Sequence, residues 1–454
     1  MRIPRRHEFR TNRTPRELFA RLPARHRFRL AGPGRTDTFG AEPVAVWSVA
    51  ADSPAPFDDL VAALRRMPRL PVASTEFLGG ALGTFSYECA FPLVHLDPAD
   101  GADPSWFAVY DTVARYVARD RVEVVSFGLT EDGEFDERLA YERSRRLEER
   151  LRDDGPTPAP PRFARERSAG GEATVTPHTS LTRDEHSDRI HEILGAIRRG
   201  DIYQANLTAH FEIETERDPV DLFEELLEAN PAPFATFLET DAGTIVSCSP
   251  ERLLSAHGRR LESRPIKGTI GRSEDPAADR GLAERLLGSE KDQAELLMIT
   301  DLTRNDLGRI AKVGSVRVPR LRALESFPHV HHLVSTVQAE LPPTLDVFDA
   351  LRALLPYGSI TGAPKRRAVE ILRELEPVAR GVYTGAIGWV GFDRSADFAV
   401  AIRTGVWRDG TFSFGAGGGV VADSRAEAEW EELHLKATAF TLALAPERAP
   451  ESSR

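Results

Sequence analysis

The sequence predicts an α+β fold with largely antiparallel sheets. Runs that read as β-hairpins outnumber strand-helix-strand units, which disfavours a parallel sheet. With 41% hydrophobic and 28% charged residues, the composition is that of a globular protein. A chain of 454 residues is also long enough to bury a large core. We therefore expect a core built around sheets of antiparallel strands.

The N-terminal part contains strand-like segments and ends at a change in composition. Residues 77–87 (FLGGALGTFSY) and 107–127 read as strands, and the second segment turns near Arg119 and Asp120. Residues 153–177 are rich in proline, glycine and charge without periodicity, which is typical of a linker or flexible loop. The sequence thus predicts an N-terminal region at 1–152 and a C-terminal region at 178–446.

The C-terminal region begins with a helix followed by a strand. Ile190, Ile193 and Ile197 recur at helical spacing, Gly200 ends that helix, and a strand begins near Tyr203. The pattern that follows predicts strands near 244–255 and 332–341, a helix from about 277 to 312, a helix after Pro364, and strands from 383 to 422.

A last helix carries two acidic residues. Ser424 and Glu427 have the spacing of a capping box, which predicts a helix that runs through Phe440. On this helix Glu429 and Glu432 are three residues apart and share one face. Like charges at this spacing usually form a solvated surface, so spacing alone leaves both a solvent-facing pair and a metal site open.

Charge and cysteine content exclude several classes of function. The net charge of -11 disfavours a nucleic-acid surface, and no apolar run approaches the roughly 18 residues of a membrane span. Cys89 and Cys248 are too few for a disulfide framework or a four-cysteine zinc site. No apolar segment follows the arginine-rich start, so we expect no signal peptide. A cytoplasmic protein is the simplest interpretation.

Lys267 is the most informative single residue. It lies in residues 264–269 (RPIKGT), where Pro265 and Gly268 restrict the backbone on both sides of the amine. A lysine amine held in this way is a candidate nucleophile. Taken alone, however, a lysine beside glycine is most often a solvated turn residue.

Six further segments, taken together, resemble the chorismate-utilising enzymes. They are residues 201–207 (DIYQANL), 249–252 (SPER), 291–306 (KDQAELLMITDLTRND), 331–335 (HHLVS), 358–365 (GSITGAPK) and 415–436. The family includes anthranilate synthase component I, aminodeoxychorismate synthase component I, isochorismate synthases and salicylate synthases. The resemblance covers residues 180 to 442 and implies two antiparallel sheets packed face to face, with helices outside and the active site in a cleft between the sheets.

The resemblance implies a magnesium site made of glutamates. Glu295, Glu429 and Glu432 match the family's metal-shell residues. Mg²⁺ takes oxygen ligands from a few carboxylates while it retains water, and it would bridge to a carboxylate of the substrate. Mg²⁺ is therefore the expected cofactor.

Substrate contacts are implied in the same way. Chorismate is a dianion, so a chain of negative net charge needs positive groups or free amides in the cleft. Arg403 matches the arginine that grips the enolpyruvyl carboxylate, and Tyr383 matches the tyrosine paired with it. His332 corresponds to the histidine beside the ring, although a histidine on a strand is usually structural. The remaining expected contacts are Thr361, Gln204, Gly417, Gly418, Gly419 and Lys436.

Two positions distinguish branches of the family. Isochorismate and salicylate synthases look as if they activate water with a lysine at the position where this chain has Gln204. A glutamine amide cannot act as the base in that step. Anthranilate synthase typically has alanine where this chain has Lys267. The chain therefore most resembles aminodeoxychorismate synthase component I.

That resemblance implies amination of chorismate at C4 through a covalent step. Lys267 would attack C2 of the ring and displace the 4-hydroxyl, and ammonia would then add at C4 and expel the lysine. Glu251 is the candidate for moving protons, although a salt bridge to Arg252 would explain it equally well. The product would serve p-aminobenzoate and folate biosynthesis.

The ammonia would come from a partner. A glutaminase domain of the usual kind places its cysteine in a Gly-x-Cys-x-Gly turn, and neither Cys89 nor Cys248 lies in one. A separate glutamine amidotransferase subunit is therefore implied. Two alternatives remain: anthranilate synthase component I, and a non-catalytic scaffold for a glutaminase.

Overall fold

The chain forms two antiparallel sheets with helices outside, which confirms the predicted α+β class. The computed structural model describes residues 4–70, 74–153 and 177–444. Most of the predicted linker, residues 154–176, lies outside these ranges.

The strands within the described ranges are β1 (Arg5–Arg10), β2 (Phe28–Ala31), β3 (Thr38–Gly40), β4 (Ala45–Val49), β5 (Gly80–Phe85), β6 (Ser105–Tyr110), β7 (Thr112–Ala118), β8 (Arg121–Ser126), β9 (His178–Thr179), β10 (Gln204–Glu214), β11 (Phe234–Thr240), β12 (Gly243–Ser249), β13 (Arg252–His257), β14 (Arg260–Arg264), β15 (Ile266–Gly271), β16 (Arg317–Ser326), β17 (Val330–Glu340), β18 (Gly362–Ala363), β19 (Ala386–Gly391), β20 (Ala396–Val400), β21 (Thr404–Arg408) and β22 (Thr411–Val420). The α-helices are α1 (Pro15–Phe19), α2 (Pro56–Arg65), α3 (Glu137–Arg152), α4 (Arg183–Arg199), α5 (Pro219–Ala229), α6 (Pro276–Leu287), α7 (Glu290–Gly308), α8 (Val347–Leu354), α9 (Lys365–Leu375) and α10 (Ala426–Leu444).

Each sheet combines strands from both ends of the chain. The first has twelve strands in the order β1-β8-β7-β3-β2-β11-β12-β21-β22-β10-β18, with β9 also pairing with β10. The second has ten in the order β15-β17-β14-β13-β20-β19-β5-β6-β4, with β16 also pairing with β17. The N-terminal strands enter through the antiparallel pairs β2·β11 and β5·β19. Residues before and after 154–176 therefore share both sheets.

The main core lies between the sheets. Successive residues of a strand point to opposite faces, and β11 shows the consequence. Leu238 faces the second sheet, in one apolar cluster with Phe85 and Phe398. Its neighbour Phe237 faces the other way and packs in a second cluster with Phe223 of α5 and residues of α10. The sheets thus pack face to face, and helices cover the outer face of the first sheet.

Several predicted boundaries were wrong in detail. The helix expected at 277–312 is two helices, because Gly288 ends α6 and the Ser289 hydroxyl caps α7. The segment near 244–255 contains two strands, and 107–127 lies within three. The expected capping box of the last helix does not form: the Ser424 hydroxyl donates to Glu429 at 2.7 Å, and α10 begins at Ala426.

None of the helices in the described ranges is long and apolar enough to span a membrane.

Candidate active site

Three glycines of β22 form the floor of the site. Gly417, Gly418 and Gly419 pair with Thr208, Leu207 and Asn206 of β10. A Cβ at Gly418 would lie 2.8 Å from a carboxylate oxygen of Glu429, and one at Gly419 would lie 2.8 Å from Gln204 Nε2. Glycine is required here because functional side chains occupy the space that a larger residue would take.

Lys267 reaches this floor from the other sheet. It lies on β15, and Gly268, which follows it, has a φ of 76°. Its amine lies 3.6 Å from the position of a Cβ at Gly419. No hydrogen bond or ion pair holds the Lys267 amine within the described part of the chain. Burial lowers the pKa of Lys267, the nearby Lys436 lowers it further, and Glu295 and Glu251 oppose both effects.

The side chain of Gln204 lies next to Gly419, beside the glycine floor. Its side chain is fully buried, and neither amide atom has a hydrogen-bond partner among the described residues. An unpaired buried amide costs about 1 to 3 kcal/mol, so this one is expected to gain a partner when the site is filled. Gln204 and Lys267 therefore border one common space above Gly419.

Glu251 is the second titratable group beside Lys267. It is buried, and its carboxylate accepts a long hydrogen bond of 3.4 Å from the backbone of Ile266. Burial raises its pKa to about 7, which Lys267 partly opposes. The salt bridge to Arg252 does not form, because Arg252 pairs with Asp397 at 3.1 Å and Glu262 at 3.0 Å. Glu251 is thus free to exchange a proton near neutral pH.

His332 is a neutral imidazole in the wall of the site. It lies on β17, is buried, and shares a hydrogen bond of 2.8 Å with the Thr269 hydroxyl through Nδ1. Burial lowers its pKa to about 4, and the positive charge of Arg403 adds to this effect. It can therefore accept a proton or a hydrogen bond, but it carries no charge at neutral pH.

Arg403 is a cation that lacks a protein counter-ion. Its guanidinium has no hydrogen bond or ion pair within the ranges that the structure describes. Burial lowers its pKa, although the group stays charged. Its backbone has a φ of 48°, a conformation that costs a non-glycine residue about 1 to 2 kcal/mol. An unpaired arginine in a strained conformation is a strong candidate for binding an anion.

Tyr383 packs on the same glycine-rich strand. Its ring occupies the space beside Gly415, where a Cβ would come within contact distance of three ring atoms. Burial raises its pKa, so the phenol keeps its proton and can donate a hydrogen bond. The next residue, Thr384, donates its N–H to the carbonyl of Ala401 at 2.8 Å, which ties Tyr383 to the segment that carries Arg403.

The acidic side of the site lies on α10. Glu429 is buried and its pKa is raised by burial. Glu432 is half-exposed and pairs with Lys436 at 2.7 Å. The Lys436 amine also donates to the carbonyl of Gly417 at 2.7 Å. A Cβ at Gly418 would lie 2.8 Å from Glu429 and 3.9 Å from Glu432, so both carboxylates face this glycine.

The third predicted glutamate faces the site from α7. Glu295 has a raised pKa, chiefly through burial, and its carboxylate lies 3.8 Å from the amine of Lys291. Asp292, one turn earlier, was missed in the sequence. Its side chain lies against Gly268, and its charge further raises the pKa of Glu295. The three-residue spacing of Asp292 and Glu295 is the same signal that marks Glu429 and Glu432.

These carboxylates do not form a metal cage by themselves. No group of three or more His, Cys, Asp or Glu side chains has metal-binding geometry in the described ranges. Mg²⁺, however, commonly uses one or two protein carboxylates with water and substrate oxygens. The partly buried Glu295 and the buried Glu429 fit such a partial site, because burial raises the pKa of each although lysines lie nearby.

Thr361 lies beside β10, next to Asn206. It is fully buried, and its carbonyl accepts the N–H of Asn206 at 2.9 Å. The structure thus brings Lys267, Gln204 and the glycines together, with Thr361 on the other side of β10 from the glycines, at the edge of the same sheet.

Both cysteines lie away from solvent. Cys89 and Cys248 are buried, and burial raises the pKa of each thiol to about 12. Neither has the accessible, ionisable thiol that a nucleophile needs.

A family model for chorismate binding enzymes matches residues 24–442. The chain belongs to this family. Among curated relatives, aminodeoxychorismate synthase component 1 of Salmonella typhimurium is 48% identical over 258 residues, which are 57% of this chain and 57% of the relative's length. The enzyme of the same name from Klebsiella aerogenes is 40% identical over 373 residues, 81% of this chain and 77% of the relative.

Other members of the chorismate binding enzyme family are also similar. Anthranilate synthase component 1 of Streptomyces coelicolor is 38% identical over 390 residues, 83% of this chain and 74% of the relative. Among solved structures, anthranilate synthase component I from Streptococcus pneumoniae superposes with a TM-score of 0.78 at 29% identity, covering 90% of this chain and 93% of that one. The predicted face-to-face arrangement of antiparallel sheets is therefore confirmed at the level of the family fold.

Proposed function

We propose that this chain is component 1 of an aminodeoxychorismate synthase, which aminates chorismate at C4 and retains the enolpyruvyl ether. The observation that carries the proposal is the placement of Lys267 and Gln204 beside Gly419. A lysine with a lowered pKa faces the same space as an amide that cannot activate water. Relatives of that name at 48% and 40% identity support the assignment.

In the proposed first step, the neutral amine of Lys267 forms a bond to C2 of the ring. Both ring double bonds shift, from C1=C2 to C1=C6 and from C5=C6 to C4=C5, and the C4–O bond breaks. Glu251, whose pKa of about 7 leaves it partly protonated, donates the proton that turns the leaving hydroxyl into water. The proton released by the alkylated lysine passes to the resulting carboxylate, so the charge balances.

The proposed second step reverses the shift. Ammonia attacks C4, both double bonds move back, and the bond between C2 and Lys267 breaks. Glu251, which regained a proton in the first step, protonates the departing lysine nitrogen so that it leaves as a neutral amine, and the C4 ammonium returns one proton to Glu251. Gln204, which cannot act as a base, would donate to or accept from the incoming ammonia without delivering hydroxide.

The substrate is proposed to lie between two charged walls. Arg403, without a protein partner, would bind the enolpyruvyl carboxylate together with Tyr383 and the amides of residues 417–419. Glu295, Glu429 and Glu432 would hold Mg²⁺, which supplies positive charge for the ring carboxylate. His332 would contact the ring as a neutral acceptor, with Lys436 beside the glycines and Thr361 on the other side of β10.

Component 1 in the relatives' names implies a partner component. We propose a glutamine amidotransferase subunit, because both cysteines of this chain are buried with raised pKa values. The purified chain should then use ammonium but not glutamine. Glutamine-dependent turnover should appear when an amidotransferase subunit is added, whereas glutamine hydrolysis by the chain alone would contradict this part.

Product analysis tests the function directly. The chain is incubated with chorismate, Mg²⁺ and ammonium, and products are identified by mass, with and without an added aminodeoxychorismate lyase. Aminodeoxychorismate that releases pyruvate only after the lyase is added is the expected result. Isochorismate as the main product would overturn the proposal.

Anthranilate synthase component I is the second candidate, because a relative of that name aligns with 83% of the chain. Pyruvate release without the lyase would favour it. If no chorismate is consumed with either nitrogen source, the non-catalytic scaffold would replace both.

A further inference from the structure

Arg380 lies beneath the wall that carries Tyr383 and uses every donor it has. Only 6% of the residue is exposed. Its Nε and one Nη hold Glu376 at 2.8 and 2.6 Å, as a bidentate pair. The other three N–H groups donate to the carbonyl of Asn206 at 2.7 Å, the carbonyl of Ile360 at 2.8 Å and the hydroxyl of Thr384 at 3.3 Å. Because all five guanidinium donors are used, the group is fixed in place.

These acceptors belong to three separate segments of the candidate site. Asn206 lies on β10 opposite Gly419, and Gln204 precedes it by two residues. Ile360 precedes Thr361, and Thr384 follows Tyr383. The Arg380 side chain therefore joins its own segment, through the Thr384 hydroxyl, to the backbones of two segments that border the same cleft.

Its ion-pair partner extends this connection. The carboxylate of Glu376 also accepts the N–H of Thr208 at 3.0 Å, and Thr208 pairs with Gly417. On the other side, the Arg380 guanidinium lies 4.4 Å from the centre of the Tyr87 ring. The backbone N–H groups of Arg380 and Gly381 are both held by the buried carboxylate of Glu88, at 2.6 and 3.0 Å.

We propose that Arg380 is a positioning residue that fixes Tyr383, Thr361 and the β10 end beside Gln204 relative to one another before chorismate binds. It touches no substrate itself. This inference deepens the proposed function, because it concerns chorismate binding at the same site. The planar fork of arginine is required, since a lysine ammonium has three donors and cannot span the same acceptors.

A purely structural role makes a different prediction, and the chain offers a matched control. Arg29 on β2 is also buried, with 4% exposed, and it pairs with Asp37 at 2.8 and 2.9 Å and with Glu224. Its partners do not include a residue of the candidate site. Arg29→Lys and Arg380→Lys each retain the positive charge but lose the planar guanidinium and its five donors. Both variants are therefore expected to have a lower melting temperature.

The test compares chorismate binding, measured by calorimetry with Mg²⁺ in a Lys267→Ala background in which no covalent adduct can form. It also compares KM and kcat with ammonium for the two variants that retain Lys267. Arg380→Lys should raise Kd and KM for chorismate by about tenfold or more, with a smaller fall in kcat, because misplaced contacts weaken binding throughout the reaction. Arg29→Lys should leave both constants within about twofold of the unchanged chain. Equal Kd and KM values for the two folded variants would overturn the proposal.

A milder variant covers the case in which Arg380→Lys does not fold. Thr384→Ala removes the hydroxyl that accepts from Arg380 and donates to the carbonyl of Tyr383 at 2.6 Å. It should raise Kd for chorismate about threefold or more, and an unchanged Kd would contradict the proposal. The product formed by the wild-type chain tests the proposed function. The ratio of the variant's Kd for chorismate to that of the wild-type chain tests the role of Arg380, whichever product is formed.

Discussion

The amine of Lys267 and the side-chain amide of Gln204 meet across one glycine, Gly419. A Cβ at Gly419 would lie 2.8 Å from Gln204 Nε2 and 3.6 Å from Lys267 Nζ. One backbone position, on a different sheet from Lys267, thus limits the space between the candidate nucleophile and the amide that faces it.

The first prediction follows from this contact. Gly419→Ala should push Gln204 away and reduce the room above Lys267, lowering kcat/KM by about tenfold or more while the chain stays folded. Gly271→Ala is the control, because a Cβ at Gly271, on the same strand as Lys267, meets no atom within 4 Å. Kinetics with ammonium and thermal unfolding check both variants. Equal activity of the two would contradict the prediction.

The second prediction concerns covalent catalysis by Lys267. Lys267→Ala should lower kcat by at least about a hundredfold and leave chorismate binding largely intact, because Arg403 and the glycines remain. Lys267→Arg should not restore turnover, since a guanidinium stays protonated. Without ammonia, mass analysis of the unchanged chain should show chorismate less water on the peptide containing Lys267. Near-normal turnover by both variants would leave Lys267 only an electrostatic role.

The third prediction uses the raised pKa of Glu251. An unfolded glutamate loses its proton near pH 4.5, whereas buried Glu251 keeps it until about pH 7. The folded chain therefore binds more protons between these values, and the contribution of Glu251 to stability falls as pH rises through this window, by about 3 kcal/mol in total. Glu251→Gln should remove that loss. The free energy of unfolding, measured with urea at pH 5 and pH 8, checks this prediction, and the exposed Glu431→Gln is the control. The prediction is refuted if this free energy has the same pH dependence in the wild-type chain and in Glu251→Gln.

The fourth prediction concerns the carboxylates. EDTA should abolish turnover and Mg²⁺ should restore it, because a dianionic substrate is repelled by Glu295, Glu429 and Glu432 unless a cation intervenes. Glu295→Ala and Glu432→Ala should weaken Mg²⁺ binding, measured by calorimetry with chorismate, by at least about tenfold. Glu431→Ala should not, because Glu431 lies on the same helix as Glu432 but is not one of the carboxylates that face Gly418. Full activity of a metal-free preparation is the result that would sink the idea.

The fifth prediction separates stability from binding at Arg403. Arg403→Gly removes a side chain from a backbone with a φ of 48°, so the free energy of unfolding should rise by about 1 kcal/mol while chorismate binding is lost. Asp409→Gly, at a φ of 49° on an exposed turn, should gain a similar amount and still bind chorismate. Denaturant unfolding and calorimetry distinguish the two. A destabilised Arg403→Gly variant would show that the guanidinium stabilises the fold.

Sequence patterns predicted local secondary structure better than long-range contacts. Periodicity and turn residues placed α4, ended it at Gly200 and predicted a strand near Tyr203, one residue before β10 begins. They failed where long-range contacts decide the outcome. Ser424 has two possible hydrogen-bond partners nearby in the sequence, Glu427 and Glu429. Only the folded structure shows that the Ser424 hydroxyl donates to Glu429.

The buried polar networks also could not be predicted from the sequence. Nothing local to Arg380 indicates that its acceptors include Asn206 and Ile360, which are 174 and 20 residues away in the sequence. Asp292 could have been found from the sequence, because its three-residue spacing to Glu295 repeats that of Glu429 and Glu432 on α10. The branch-specific residues Lys267 and Gln204 came only from resemblance, because no spacing rule connects two sheets.

The pairing of β2 with β11 and of β5 with β19 has a consequence for how the chain reaches its native state. Neither sheet can be completed until strands separated by some two hundred residues or more have met, so loop closure opposes the assembly of both. Folding is therefore expected to be slow, and a fragment made of residues 178–446 alone would expose the edges of β11 and β19. Such unpaired edges promote self-association, so the fragment should aggregate unless residues 1–152 are supplied in trans.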